Sequence, residues 1–392
     1  MSREIVIVAA KRTPMGGFQG ALSALSATEL GAQAIKGVLE ASGLSADKVD
    51  EVYLGCVLPA GLGQAPARQA ALSAGLLEST PCTTVNKVCG SGMKTVMMAA
   101  DQLKAGFDGV ILAGGMESMS NAPYMLDKAR AGYRMGHQKV LDHMFLDGLE
   151  DAYDKNAMGI HAQRTADDYS LTREAMDAFA LRSLSRANEA IAKGWFKEEI
   201  SAVEVVTRKG TTLVSEDEQP GQARPDKIPT LRPAFAKDGT ITAANSSSIS
   251  DGASALLVTT AEKAKALGLT PIAKVVDYST HAQAPSTFTC APIGAVQKIL
   301  DRQGLSAGDF DLVEVNEAFA MVTMLAMQEV GFTAEQTNIS GGACALGHPL
   351  GSSGSRILVT LLHNLKRTGG KRGLATLCIG GGEGTAVMVE ML

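Results

Sequence analysis

The chain predicts an α/β protein: two similar β/α halves stacked together, with a large segment inserted between parts of the first. Three observations carry this. Apolar strand segments alternate with amphipathic helices toward both ends of the 392 residues, a texture that implies a mostly parallel sheet with helices on its faces. From about Met119 to Asn245 the texture changes: charges, Met, His and Pro rise and strand signals nearly vanish, as in an insertion that covers something. Finally, "CGSGMKTVMMAADQLKAGFDGVILAGGME" is echoed by "GSSGSRILVTLLHNLKRTGGKRGLATLCIGGGE". Both run Gly/Ser turn, amphipathic helix, Gly-bearing break, apolar strand, Gly-Gly, Glu. Such an echo implies two related halves whose Gly-rich turns face each other across a pseudo-twofold axis. The expected division is 1–118 with 246–270 for the first half, 119–245 for the insertion and 271–392 for the second half.

The elements follow in order. "REIVIVAAKRTP" reads as a short buried strand ended by Thr13-Pro14. "SATELGAQAIKGVLEASG" is a helix, with Ser26 and Glu29 forming a capping box and Gly43 stopping it. "DEVYLGCV" is a strand. "KTVMMAADQLKAG" puts Val96, Met97, Ala100 and Leu103 on one helical face, and "GVILAGG" returns as an apolar strand. Two helices are readable in the insertion, "ALRSLSRANEAIAKG" being the clearer. The β/α texture resumes at "SDGASALLVTTAEKAKALG".

Composition narrows the function. Gly is abundant, 42 of 392 against a usual level of roughly 7%, so tight turns and bare backbone amides are expected. Aromatics are only 4% and the net charge is −5, which disfavours base stacking and phosphate-backbone attraction; no nucleic-acid partner is expected. No apolar run is long enough for a membrane span, and no charged-then-apolar leader opens the chain. The closing "VEML" is not a peroxisomal address. A cytoplasmic setting is therefore expected. The cysteines, at 56, 82, 89, 290, 344 and 378, form no C-x-x-C pair and share no ligand spacing with a histidine. Neither a zinc site nor a disulfide scaffold is expected.

Four stretches carry chemistry. In "NKVCGSGMK", Cys89 stands before Gly90-Ser91-Gly92 and a helix. A helix N-terminus favours thiolate over thiol and can hold a developing oxyanion, although a packed core cysteine is the alternative. In "GGACALGHPLGSSG", a Gly/Pro turn fixes His348, which could take a proton from a thiol or be a satisfied core residue. In "LATLCIGGGEG", Cys378 ends a strand before Gly380, Gly381 and Gly382, whose amides are left bare as an oxyanion site requires, or simply make a tight turn. In "VEVNEAFA", Asn316 follows a strand and opens a helix, where Asn is a common N-cap.

Together with "GGMESMS" and "ANSSSISDGA", these motifs resemble the thiolase family along essentially the whole chain, most closely its bacterial acetyl-CoA acetyltransferase group. The resemblance implies a layered αβαβα core. It implies Cys89 as the nucleophile that carries the acyl group, His348 as its activator and Cys378 as the acid/base at the substrate α-carbon. It also implies two oxyanion sites: one from His348 and a water fixed by Asn316, the other from the amides of Cys89 and Gly380. The substrates implied are CoA thioesters, acetyl-CoA and acetoacetyl-CoA, with free CoA as co-product and no metal or other cofactor. Ser247 would contact the pantetheine, with Phe235 beside it and Arg224 near the adenine and phosphates; Met158 and Phe319 would line the acyl end. The segment 120–142 resembles the family's tetramer-forming loop, which implies a homotetramer; a lid is the alternative.

The sequence departs from the family where short-chain members often have His-Met-Gly and this chain has Ala157-Met158-Gly159. Cys344 is an extra thiol close to His348, read as a packing residue. The rival readings are a degradative 3-ketoacyl-CoA thiolase of broader chain length and an inactive CoA- or lipid-binding module on the same scaffold. A ketoacyl synthase would use two histidines, where this chain offers Cys378.

Overall fold

A computed structural model describes residues 3–208 and 210–392. The first half runs β1 (Ile5–Arg12), β2 (Gly16–Gly17), α1 (Ala27–Ser42), β3 (Glu51–Gly55), α2 (Pro66–Ser73), β4 (Cys82–Val85), α3 (Ser91–Lys104) and β5 (Ile111–Ser118). The insertion holds β6 (Tyr124–Met125), β7 (Leu141–Asp142), α4 (Met158–Asp168), α5 (Arg173–Ala192), β8 (Val203–Thr207), β9 (Gly210–Val214) and α6 (Glu218–Gln222). Then come β10 (Ser250–Thr260) and α7 (Ala261–Ala266), and the second half: β11 (Ala273–Ala282), α8 (Ala291–Gln303), β12 (Leu312–Val315), α9 (Ala320–Val330), α10 (Ala343–Leu346), α11 (Leu350–Thr368), β13 (Arg372–Ile379) and β14 (Glu383–Met391).

Local chemistry explains the helix ends. Ser26 accepts from the Glu29 amide while Glu29 reaches back to the Ser26 amide, and Gly43 stops α1 at φ 66°. That capping box satisfies orphan donors of the first turn.

Among the described residues, the main sheet runs β12-β13-β14-β11-β1-β10-β5-β3-β4, with β2 on β10. The order is nearly palindromic about the β11–β1 seam, which is the symmetry the sequence echo implies. It is not mostly parallel, as expected above. Only β3–β4, β3–β5 and β12–β13 are parallel. The long β10 enters antiparallel between β1 and β5, and β14 antiparallel between β13 and β11. For β14 the cause is the connection: a few residues join it to β13, and so short a link permits only an antiparallel return.

Five layers result. α1 and α2 cover one outer face of the first half, and α8 and α9 cover the outer face of the second. Between the half-sheets, α3 and α11 share one core with β1, β10 and β13. These two helices touch at their first turns. A Cβ on Gly92 would lie 2.4 Å from Ser355 Oγ, and one on Gly354 would lie 2.5 Å from the Met93 amide nitrogen. Glycine is required there because backbone meets backbone.

The insertion is not free of strands. It contains the short pairs β6–β7 and β8–β9, each too small to show a clear alternation. Its helix α5 packs Leu184, Ala187 and Ala190 against Ala345 and Leu346. Arg12, fully buried at the end of β1, ties it to the first half: Nε donates to Glu199 Oε1 (2.5 Å), and the two terminal nitrogens donate to Asp217 (2.6 and 2.9 Å). Removing one partner of such a network strands the other charges. Arg12→Ala should therefore cost about 3–5 kcal/mol of stability, read as a lower denaturant midpoint. Lys193→Ala, which breaks an exposed pair with Glu189, should leave the midpoint in place. No helix of the described residues is long and apolar enough to cross a membrane.

Candidate active site

Cys89 ends a tight loop ahead of α3. Val88 sits at φ 46°, a left-handed conformation that a β-branched residue rarely adopts. The loop holds it there: the Val88 amide donates to Asn86 Oδ1 (2.9 Å), the Lys87 amide donates to Ser91 Oγ (2.8 Å), and that hydroxyl donates to the Val88 carbonyl (2.6 Å). Cys89 is only 9% exposed. Burial pushes its thiol up to about 11, the buried Glu117 adds to the rise, and the amides of Gly380 and Cys89 itself pull the other way. The amides favour thiolate, as expected of a helix terminus, but loss of solvent raises the thiol more.

The Gly380 amide pointing at the Cys89 sulfur comes from the facing turn. Cys378 lies near the end of β13, wholly buried. Gly381 and Gly382, at φ 90° and 92°, reverse the chain into β14. Burial drives the Cys378 thiol far up, and neighbouring Cys89 raises it further. Lys87 and Glu383 form an ion pair between the two turns.

His348 lies between Gly347 and Pro349, ahead of α11, and is 5% exposed. Its amide approaches the Ser248 carbonyl (3.3 Å) and Ser250 Oγ (3.2 Å). Ser353 Oγ stands 2.5 Å from Nδ1 and donates its proton to the Pro349 carbonyl (2.9 Å). The hydroxyl therefore accepts at Nδ1, which carries the ring proton and leaves Nε2 its lone pair. Nε2 has no partner among the described residues. Burial, then the charge of Arg356, depress the imidazole to about 3, so it is neutral. Ser353→Ala frees the ring to rotate or change tautomer. It should lower kcat roughly a hundredfold, with little change in substrate KM, as steady-state kinetics will show.

Asn316 is fully buried, with Nδ2 3.5 Å from His348 Nδ1 and Oδ1 unpartnered among the described residues. Its amide donates to the Thr376 carbonyl (3.0 Å), which fixes it beside the strand that bears Cys378. It does not open a helix, as the sequence suggested. α9 begins at Ala320; just before it the Ala318 carbonyl accepts from the Ser247 amide (2.9 Å), and the Ala320 amide donates to the Asn245 carbonyl (2.8 Å).

Around this centre, Met158 Cε lies 3.5 Å from where a Gly380 Cβ would stand. Phe235 packs against Gly159 and sets its ring edge-on to Phe319, centroids 6.2 Å apart. Ser247 is half-buried next to Ala318–Phe319. The structure does not bring Arg224 to this group: it is exposed, and its side chain makes no hydrogen bond or ion pair with a described residue. Cys344 directs its sulfur at the Glu317 carbonyl (3.7 Å). Sequence reasoning missed Glu117, which is wholly buried and accepts from the amides of Val57, Leu58 and Gly351 (3.0, 3.1 and 2.9 Å). Burial pushes its carboxyl up to about 7, against those donors. A lone carboxylate in an apolar strand was its signal. Ser353 had none that separates it from Ser352.

Two family models cover nearly the whole chain: the thiolase N-terminal domain at residues 5–262 and the thiolase C-terminal domain at 269–391. The chain belongs to the thiolase family. This thiolase is 49% identical to an acetyl-CoA acetyltransferase of Pseudomonas aeruginosa over 387 residues, 98% of each chain. It is also 49% identical to an acetyl-CoA acetyltransferase of Escherichia coli across both full lengths. Its fold matches the crystal structure of Acat5 thiolase from Ascaris suum in complex with coenzyme A, with a TM-score of 0.94, 39% identity and full coverage of both chains.

Proposed function

We propose that this thiolase is an acetyl-CoA C-acetyltransferase, joining two acetyl-CoA into acetoacetyl-CoA and CoA and running the reverse thiolysis, with no cofactor beyond the CoA thioesters themselves. The observation that carries the chemistry is the pair of buried thiols from the two facing turns, Cys89 and Cys378, with the Gly380 amide donating toward Cys89. The Cys89 sulfur attacks the thioester carbonyl as His348 Nε2 takes its proton. The carbonyl oxygen gains charge between the amides of Cys89 and Gly380. The C–S bond to CoA then breaks, the Cys378 thiol gives its proton to the departing sulfur, CoA leaves as the thiol, and acetyl-Cys89 remains beside a Cys378 thiolate. A second acetyl-CoA binds. Cys378, as thiolate, takes a proton from its α-carbon, and the enolate oxygen is held by His348 and a water fixed by Asn316. The carbanion attacks the acetyl carbonyl, the bond to Cys89 breaks to release acetoacetyl-CoA, and His348 returns its proton to the Cys89 sulfur.

Pantetheine contact is assigned to Ser247 and Phe235, and the acyl end to Met158 and Phe319. Arg224, exposed, is assigned to the outer end of CoA. In this reading 1–118 with 246–270 and 271–392 form the two halves, 119–245 carries CoA and subunit contacts, and the enzyme is a cytoplasmic homotetramer. Met158 beside Gly380 supports a short acyl pocket in spite of Ala157. The test compares kcat/KM for thiolysis of acetoacetyl-CoA and of longer 3-ketoacyl-CoA thioesters, with ping-pong patterns expected. Preference for the four-carbon substrate by more than about tenfold is expected; equal or faster turnover of long chains would favour the degradative reading.

A further inference from the structure

We propose that Asp151, Asp154 and His161 form a site for a divalent transition-metal cation that pins the start of α4 beside the acyl end of the pocket. One ligand atom from each of the three lies within 4.8 Å of the other two. Asp151 is 3% exposed and His161 is 1% exposed. Asp151 Oδ2 is saturated by the amides of Tyr153 and Asp154, both at 2.9 Å. Asp151 Oδ1 is buried and bonds to nothing among the described residues. A buried carboxylate oxygen without a donor is costly, and a bound cation would remove that cost.

The backbone builds the cluster. The Asp151 amide donates to the Asn156 carbonyl (2.8 Å), the Lys155 amide donates to the Asp151 carbonyl (3.1 Å), and Glu150 bridges to Ala157. This closed turn sets both aspartates against the first turn of α4, where His161 lies. Asp154 Oδ1 accepts from the Asn156 amide (3.0 Å) and stands 3.2 Å from His161 Nε2, a spacing that two ligands of one small ion can also share. Arg164, exposed, reaches Asp154 Oδ2 at 3.6 Å, and Asn156 Nδ2 donates to the same oxygen (2.7 Å). The half-exposed Asp154 leaves a side open for water to complete the shell. Two carboxylates and an imidazole suit Zn²⁺, Co²⁺ or Mn²⁺ rather than a thiol-seeking ion. The cysteine spacing that set zinc aside in the sequence has no bearing on this oxygen–nitrogen set.

The consequence is positional. Met158 and Gly159 open α4, and they meet Gly380 and Phe235. A cation three residues along would lock that turn without entering the chemistry, so the proposal stands apart from the acyl-transfer reading. The test is titration of the full-length, EDTA-stripped protein with Co²⁺, followed by visible absorption, in wild type, Asp154→Asn and His161→Gln. Asp154→Asn, at the exposed ligand, guards against misfolding. Expected are one bound equivalent with weak oxygen–nitrogen bands, affinity lowered about tenfold or more in both variants, and a Zn²⁺-dependent rise in melting temperature seen only in wild type. No saturable binding below about 1 mM, undiminished binding in both variants, or a thiolate band that disappears in Cys89→Ser would each overturn it.

Discussion

Cys89→Ser should take up no acetyl group from acetyl-CoA, while wild type shows one acetyl adduct on the peptide containing Cys89 within a brief mixing time. Overall turnover should fall by about 10⁴-fold or more, as when a nucleophile that acts in a unit is removed. The physical case is specific to this site. With its thiol pushed up to about 11 and His348 depressed to about 3, the resting pair is neutral at pH 7. Both shifts have burial as their first cause, and burial penalises each charge singly. A thiolate and an imidazolium formed together offset each other's charge, and the Gly380 amide is already placed for the sulfur's side. The proton therefore leaves as the new bond forms. Serine, far less acidic and less nucleophilic than cysteine, gains too little from the same base. An adduct that forms equally in the variant would remove Cys89 from the mechanism and with it the acyl-enzyme.

Much of this was legible in sequence because it is local. Ser26, Glu29 and Gly43 specify α1 from within its own span. The Gly-rich turns around Cys89, His348 and Cys378 stand out because glycine and proline punctuate the chain wherever they occur. The echo between the halves foretold a symmetric core, since related strand–helix–strand units stack alike. What was not legible is set by distant partners. The sense of the sheet depends on β10 entering between β1 and β5, which no local pattern records. Arg12 looked like the last residue of a strand, yet its partners lie 187 and 205 residues away. The net acidity of Cys89 was not legible because helix position is local, whereas burial is a property of the closed fold. Val88 gave no sign of its strained φ, which valine accepts only where neighbours hold it. Asn316 read as a cap because Asn caps helices so often, whereas here it bonds across to Thr376.

Cys378→Ala should separate the two halves of the reaction. Acetyl-Cys89 should still form, because Cys89, the Gly380 amide and His348 are untouched, and it should accumulate because the next step fails. Condensation turnover should fall by roughly 10²–10⁴-fold, the usual reach of one positioned acid/base. Exchange of acetyl-CoA methyl protons with deuterated solvent should fall with it. The reason lies in the environment of the thiol. Cys378 is wholly buried and pushed far up by burial and by Cys89, so it holds its proton tightly and its thiolate is a strong base. Acylation changes that balance: the departing CoA sulfur takes the Cys378 proton, which leaves the thiolate beside acetyl-Cys89. The first half-reaction thereby prepares the base for the second. Alanine leaves a small cavity but no unpaired polar atom, so the loss reports chemistry rather than collapse. Unchanged solvent exchange in Cys378→Ala would transfer the α-proton to another group, with neutral His348 the first to examine.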